Sequence, residues 1–348
     1  MAKVAEVKVM IPEGSRYELL LSCPSGLSLS QVSVDFSKSH DRIPHSDPGL
    51  EDSIAQVREW FLILELNSIM LDRIVKISSE MAKILSLILQ CELANLIGSH
   101  LSFPLMLVLD NLGLGAENTG EFITVQWPKI QIGDGDEVPQ VCLRLGLTDY
   151  RTFVGTNLSS LWERFLVTSQ DDDSVRCRHT SSPLGNGAVL ETSDKKIIVL
   201  RRSNNVGEFP GHYVFPGGHP EPMSVGIDSH QLEKDGEVLN KKVTQEMFES
   251  ITREVVEETG IPASSLSPPL FIGISRRELN VRPAMFFFIK CSHHSDDIQR
   301  LYPDAEDGFE STQLHTVSMD ELKTMTSRMP GCHHGGFALY ELMLQRVQ

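Results

Sequence analysis

The order of apolar and polar positions divides the chain into stretches of different character. Val4 to Ile11 and Tyr17 to Cys23 read as strands bounded by Pro and Gly, and 37–44 (Ser-Lys-Ser-His-Asp-Arg-Ile-Pro) reads as a loop. Glu51 opens a helical pattern that runs on through the most apolar stretch, Trp60 to Leu109, with breaks near Asn67-Ser68 and Gly98. Charges at Glu65, Asp72, Arg73, Lys76, Glu80, Lys83 and Glu92 interrupt that stretch. No window reaches the roughly 18 consecutive apolar residues that a membrane span requires. The Gly-, Asp- and Asn-rich text of 111–137 predicts a loop. Its Gly113-Leu-Gly115 lacks the strand-turn-helix surroundings of a dinucleotide loop.

Beyond it, Val141 to Gly146 predicts a strand and Asp149 to Phe153 a short helical turn. Ser159 to Val167 predicts an amphipathic helix capped by the serine, and Asp171-Asp172-Asp173 a surface loop at a domain boundary. Ala188–Glu191 and Lys196–Arg201 are strands joined by a Ser-Asp turn, a hairpin signal. A Pro/Gly loop (209–222) and a polar loop (223–242) precede a helix from about Val243 to Thr259, which Gly260 and Pro262 stop. Strands at Leu270–Ser275 and Ala284–Cys291 and a closing helix at Phe337–Gln345 complete the pattern. The expected architecture is α/β: a smaller N-terminal α/β domain over 1–180, then a second domain over 181–348.

Composition narrows the functions open to this chain. Its 348 residues carry a net charge of −16, which disfavours a nucleic-acid backbone as partner. A small anionic substrate remains open, provided a metal or a few placed arginines neutralise it locally. The six cysteines lie far apart, with no C-x-x-C pair, as expected for free thiols in a reducing compartment. The N-terminus carries no signal-peptide or arginine-rich targeting pattern. The expectation is a cytoplasmic protein that engages no membrane.

The 243–260 helix concentrates the candidate chemistry. At about 100° per residue, Glu254 and Glu258 stand about 40° apart and Glu257 about 60° to the other side of Glu254. Met247, Ile251 and Val255 form the stripe that faces a core. Like charges so close destabilise a helix, and a divalent cation removes that penalty, oxygen donors being what hard Mg²⁺ prefers. A solvated acidic face is the plainer reading of the same three residues.

Tyr213-Val-Phe-Pro runs into Gly217-Gly218, and the helix ends in Arg253-Glu254-Val255-Val256-Glu257-Glu258-Thr259-Gly260-Ile261. Here the sequence resembles the Nudix hydrolase superfamily, whose signature closes on Arg-Glu-apolar-x-Glu-Glu-x-Gly-apolar. The first half of the signature departs: Gln245 stands where an early Glu belongs, and a long insertion separates it from Gly218. In the family that Glu mainly pairs with the motif arginine. Glu246, about 20° from the azimuth of Arg253 at about 100° per residue, is the candidate substitute.

The resemblance implies a Nudix α/β/α sandwich with a mixed sheet. It implies Mg²⁺, or Mn²⁺, held by Glu254, Glu257, Glu258 and the carbonyl of Gly217. Glu310, before the strand that follows the variable loop, is the expected base, with Glu278 its rival. The long loop after 217–222, the Leu143–Asn157 block, Ser39–Arg42 and Glu310-Ser-Thr resemble one branch in particular. It holds the vertebrate UDP-glucose/UDP-galactose pyrophosphatase and its plant relatives (the Nudix hydrolase 9 type). The implied reaction is hydrolysis of a UDP-sugar to UMP and sugar 1-phosphate, with 1–180 framing the pocket for this small nucleoside diphosphate sugar. Residues 59–134 are longer and more apolar than that branch implies.

Arg144, Tyr150, Arg151 and Asn157 suit anion and ring recognition, or a tightly packed domain junction. Arg202, beside Arg201 at a strand end, could meet the diphosphate or solvent, and so could Arg276-Arg277. His293-His294 and His333-His334 lack metal-ligand spacing and read as surface residues. Two further functions compete: a Nudix pyrophosphatase acting on GDP-mannose or ADP-ribose, and a Nudix-fold binding protein without catalysis.

Overall fold

The computed structural model describes residues 12–57, 121–125, 141–167, 173–204, 206, 208–227, 229–230, 236–305 and 311–347. Its strands are β1 (Tyr17–Leu27), β2 (Val32–Phe36), β3 (Glu121–Val125), β4 (Val141–Asp149), β5 (Gly185–Glu191), β6 (Ile197–Arg202), β7 (Tyr213–Val214), β8 (Leu270–Arg277), β9 (Pro283–Lys290) and β10 (Ser311–Val317). Its helices are α1 (48–57), α2 (Tyr150–Gly155), α3 (Asp173–Arg176), α4 (Gly236–Thr259), α5 (Ser295–Leu301), α6 (Met319–Met325) and α7 (Gly331–Val347).

The large sheet runs β1-β8-β9-β5-β6-β10, with β7 paired to β6. β5 and β9 are parallel and the remaining pairs antiparallel, so the sheet is mixed. Its central strands are apolar on both faces because both faces are covered. Ala188, Leu190, Met285, Phe287 and Ile289 pack with Met247, Ile251 and Val255 of α4. The intervening Val189, Phe286 and Phe288 pack with Leu339 and Tyr340 of α7. Each buried Val, Leu, Ile, Met or Phe side chain among these contributes about 1.5–3 kcal/mol by leaving water. The result is the expected α/β/α sandwich.

The small sheet joins β2 to β4 in parallel and β4 to β3 antiparallel. Its apolar face (Val32, Val34, Phe36, Val141, Leu143, Leu145) belongs to the same core as α4. The Phe36 N–H donates to Asn240 Oδ1 of α4 at 2.9 Å, fixing the helix against this second sheet. The N-terminal part also supplies β1, the edge strand of the large sheet, paired with β8.

Several elements differ from expectation. The loop expected over 111–137 contains β3, whose Glu-Phe-Ile-Thr-Val pairs with β4 from Leu145 to Asp149. The helix expected over 159–167 is a single 3₁₀ turn, Trp162–Phe165. Ser159 does accept the Leu161 N–H, but Phe165 alone of this turn is buried, and the Val167 N–H leaves to pair with the Arg176 carbonyl. α4 starts at Gly236 rather than 243, because Leu239 and Val243 continue the buried stripe that the intervening lysines obscured. α7 starts at Gly331 rather than 337. Gly335 and Gly336 do not break it: a Cβ there would meet Ser275 Cβ at 2.5 Å and Phe286 Cε1 at 2.4 Å, so their bareness lets the helix lie close on the sheet. Val4–Ile11, Trp60 and all but β3 of the 59–134 segment lie outside the described residues. Among the described residues no helix is long and apolar enough to cross a membrane.

Candidate active site

The Phe215–His219 loop is held from three sides. β5 holds it along its length: the Ala188 N–H donates to the Pro216 carbonyl at 2.7 Å and the Asn186 N–H to the Gly218 carbonyl at 2.9 Å. The Asn186 side chain accepts the Gly218 N–H at 2.7 Å and donates to Ser250 Oγ of α4 at 3.0 Å. From α7, His333 Nδ1 accepts the Phe215 N–H at 3.1 Å. That role corrects the surface reading of His333. Burial, reinforced by Arg202, Arg282 and Arg277, pushes its imidazole down to about 3 and keeps it a neutral acceptor. His334 is likewise engaged, its Nδ1 at 2.9 Å from the Ser15 carbonyl.

The third side is α4, and it works through carboxylates. Glu258 Oε2 accepts the Gly217 N–H at 2.7 Å, Glu254 Oε1 the His219 N–H at 3.3 Å, and Glu246 Oε1 the Glu221 N–H at 2.9 Å. Gly217 is sterically required, and a side chain on Gly218 would displace the Glu254 carboxylate. Gly217 has φ 155, and a Cβ on it would meet the Asn186 carbonyl at 2.3 Å; one on Gly218 would meet Glu254 Oε1 at 2.1 Å. Glu246, 1% exposed, pairs with Arg253 at 2.8 Å. The substitute proposed for the missing early Glu is therefore the residue that meets the motif arginine. Gln245 is exposed and donates to Glu249 instead.

This face concentrates negative charge. Burial, with Glu257 and Glu221 adding to it, pushes the Glu254 carboxyl up to about 7 against the lowering pull of the His219 N–H and Arg253. Glu258 is buried and Glu257 half-buried. The donor set is all oxygen, anionic and underneutralised, which fits a hard divalent cation. Among the described residues no three acid, imidazole or thiol groups converge on one point. Glu254 and Glu258 are turned onto the loop amides instead.

On its other side the loop meets arginines. Arg282 contacts the His219 imidazole and ion-pairs with Glu208 at 2.6 Å, Arg277 ion-pairs with the same carboxylate, and Arg202 Nε donates to the Glu208 carbonyl at 2.9 Å. Burial opposes ionisation of Glu208, but Arg277 and Arg282 overcome it and hold the carboxyl at about 2. Arg276, by contrast, pairs with Glu18 on β1, away from this cluster.

The other expected residues fall as follows. Asn157 is 0% exposed: its amide donates to the Asn280 carbonyl at 2.8 Å and accepts from the Ser182 N–H at 3.0 Å, so it sits within the junction between the N-terminal part and the β8–β9 turn. Tyr150 and Arg151 open α2, both half-buried, and the Phe153 ring of that helix lies 5.1 Å below the Arg282 guanidinium. Arg144 is on β4, on the face opposite buried Leu143 and Leu145, across from Asp35. The structure thus gathers Arg202 and the 150–157 segment around Arg282, and leaves Arg144 on the small sheet. Glu310 lies outside the described residues, just before β10; Glu278 is exposed on the β8–β9 turn. Sequence reasoning missed Arg282, Glu208, Asn186 and His219. Only His219 carried a signal, its place directly after Gly-Gly.

A mixed sheet between helices, with the Arg253–Ile261 signature on α4, defines the class: the chain belongs to the Nudix hydrolases. Within that family it is 69% identical over 351 residues to Nudix hydrolase 9 of Arabidopsis thaliana, covering 100% of this chain and 97% of that protein. It is 36% identical over 198 residues to the uridine diphosphate glucose pyrophosphatase NUDT22 of Homo sapiens, a match that spans 55% of this chain and 63% of the human protein. Among solved structures, a MutT protein from Methanosarcina mazei Go1 matches 47% of the chain and 94% of its own at 20% identity, with a TM-score of 0.32. No family model matches the chain.

Proposed function

We propose that this Nudix hydrolase cleaves the diphosphate of a UDP-sugar, UDP-glucose or UDP-galactose, to UMP and sugar 1-phosphate, with Mg²⁺ or Mn²⁺. The observation that carries the reading is the clamp of Glu254 and Glu258 onto the Gly217–His219 loop, with Glu257 beside it. The uridine assignment is supported by the name of the human relative and by the gathering of the 150–157 segment about Arg282.

Glu254, Glu257, Glu258 and the Gly217 carbonyl would hold the ion. When bound, it screens the anionic oxygens of the diphosphate and makes phosphorus a better electrophile. The chain's own part is positioning. Glu246 keeps Arg253 and the loop in register with α4, and Asn186 fixes the Gly218 amide. Glu310 is the proposed acceptor of the attacking water's proton. Arg144, Tyr150, Arg151, Asn157 and Arg202 are the proposed substrate-side set, with Asn157 acting through the position of the β8–β9 turn. Residues 1–180 would frame the pocket that the domain over 181–348 serves.

A substrate panel tests this. With Mg²⁺, kcat/KM for UDP-glucose or UDP-galactose is expected to exceed that for GDP-mannose and ADP-ribose. A tenfold preference for GDP-mannose would remove the uridine assignment.

A further inference from the structure

Arg202, Arg277 and Arg282 gather around Glu208, and among the described residues it is the carboxylate that they share. Arg277 is 2% exposed, and its Nε donates to Asn280 Oδ1 at 2.5 Å while its guanidinium lies 5.0 Å above the Phe209 ring. The acid that the cluster encloses is Glu208, bridging Arg277 and Arg282. The His219 ring contacts Arg282, and His333 faces the same cations, its imidazole kept neutral by burial together with those arginines. Among the described residues three guanidiniums meet this one carboxylate, Arg277 buried and Arg202 and Arg282 half-buried, and positive charge withdrawn from water is an arrangement that is costly without a counter-ion.

The backbone is strained to create it. Asn280 (φ 54) and Val281 (φ 50) are consecutive left-handed residues in the β8–β9 turn, and Phe209 (φ 52) is a third beside them. A β-branched residue rarely takes that conformation, and such strain persists only where the surroundings enforce it. Here the turn sets Arg277 and Arg282 side by side, the Arg277 N–H donating to the Arg282 carbonyl at 3.2 Å. Asn157 secures it by donating to the Asn280 carbonyl. The cluster is also continuous with the active-site loop, since His219 touches Arg282 through its ring and Glu254 through its N–H.

We propose that Arg202, Arg277 and Arg282 form an anion subsite that takes one phosphate of the diphosphate-bearing substrate, and that the Glu208 carboxylate stands in for that phosphate when no substrate is bound. The inference rests on reading the α4 face as a site of diphosphate hydrolysis. Guanidinium forks pair with phosphate oxygens as they do with a carboxylate. Each phosphoryl group of a diphosphate joined to two organic groups carries two non-bridging oxygens and one negative charge, the pattern that the Glu208 carboxylate presents to Arg277 and Arg282.

The probe is inorganic pyrophosphate, which carries neither base nor sugar, titrated calorimetrically into the full chain at constant Mg²⁺. Arg282→Gln should weaken its binding about tenfold and Arg282→Lys should recover part of the loss. Glu208→Gln should bind it about tenfold tighter than wild type. Should Glu208→Gln be less stable, pyrophosphate should raise its melting temperature by more than it raises that of wild type. Equal affinity in wild type, Arg282→Gln and Glu208→Gln, or a destabilised Glu208→Gln that pyrophosphate fails to restore, would overturn the subsite and leave an internal ion-pair network. Turnover of UDP-glucose alongside such a result would leave the proposed activity standing. Tight pyrophosphate binding without turnover of any UDP-sugar would do the reverse.

Discussion

The Gly217–His219 loop separates two regions of opposite charge and opposite construction. On one side, Glu246, Glu254, Glu257 and Glu258 come from a single helix, and helical geometry alone brings them together. On the other, Arg202 ends β6, Arg277 ends β8, Arg282 precedes β9 and Glu208 lies between β6 and β7. Only sheet pairing makes them neighbours. His219 touches both sides, its N–H on Glu254 and its ring on Arg282. The acidic side holds charge that calls for a cation; the basic side holds charge that calls for an anion. Under the proposed function, a metal-bound diphosphate would answer both demands at once.

The largest expected effect comes from the acidic side. Glu258→Gln keeps an oxygen for the Gly217 N–H but removes a charge from the helix face. Turnover should fall at least about 10²-fold while the melting temperature stays near wild type. Retained activity that is also indifferent to EDTA would end the metal-based account of that face.

Next is the junction that supports the basic side. Asn157→Ala leaves the Asn280 carbonyl and the Ser182 N–H without their buried partner. The expected cost is about 1–3 kcal/mol in denaturant unfolding, with KM affected more than kcat, since the turn carrying Arg277 and Arg282 loosens. A kcat loss at unchanged KM would place Asn157 closer to the chemistry than the structure does.

This contrast also governs how much was legible beforehand. The Arg253–Ile261 run could be read because its spacing is local to one helix. The early-Glu question could be posed for the same reason, and Glu246 answers it within that helix. Arg282 and Glu208 have no local pattern: their meaning comes from register between strands distant in sequence. The same limit hid β3, a short strand inside Gly-rich text, and the first turns of α7, whose paired glycines serve close packing on the sheet. The mixed sheet was foreseeable in kind through the family resemblance. Its edge strand β1 was not, since nothing in Tyr17–Leu27 names β8 as a partner.

A smaller effect should appear in the pH dependence of stability. His333 has a folded-state value of about 3, well below the ordinary imidazole value of 6.5. Below about pH 6.5 the unfolded chain binds the proton that the folded chain refuses, so this contribution is complete above that pH and drains away as pH falls toward 3. Glu208, held at about 2 against an ordinary 4.5, adds a loss of the same sign at lower pH. Melting curves from pH 7 to 5 should therefore fall less steeply for His333→Gln than for wild type, and parallel curves would contradict the neutral-acceptor role. The smallest effect of all is expected at Gln245→Ala, within about 0.5 kcal/mol and silent in activity, whereas Glu246→Ala should impair both. A reversed order would put the functional register back on Gln245.

The central claim, hydrolysis of a UDP-sugar diphosphate at the α4 face, is tested most directly by following ³¹P resonances as the full chain acts on UDP-glucose with Mg²⁺, in wild type and in Glu258→Gln. The expected result is paired growth of UMP and glucose 1-phosphate signals in wild type, almost abolished in the variant. Products of UDP and free glucose, or equal turnover by the two proteins, would contradict it.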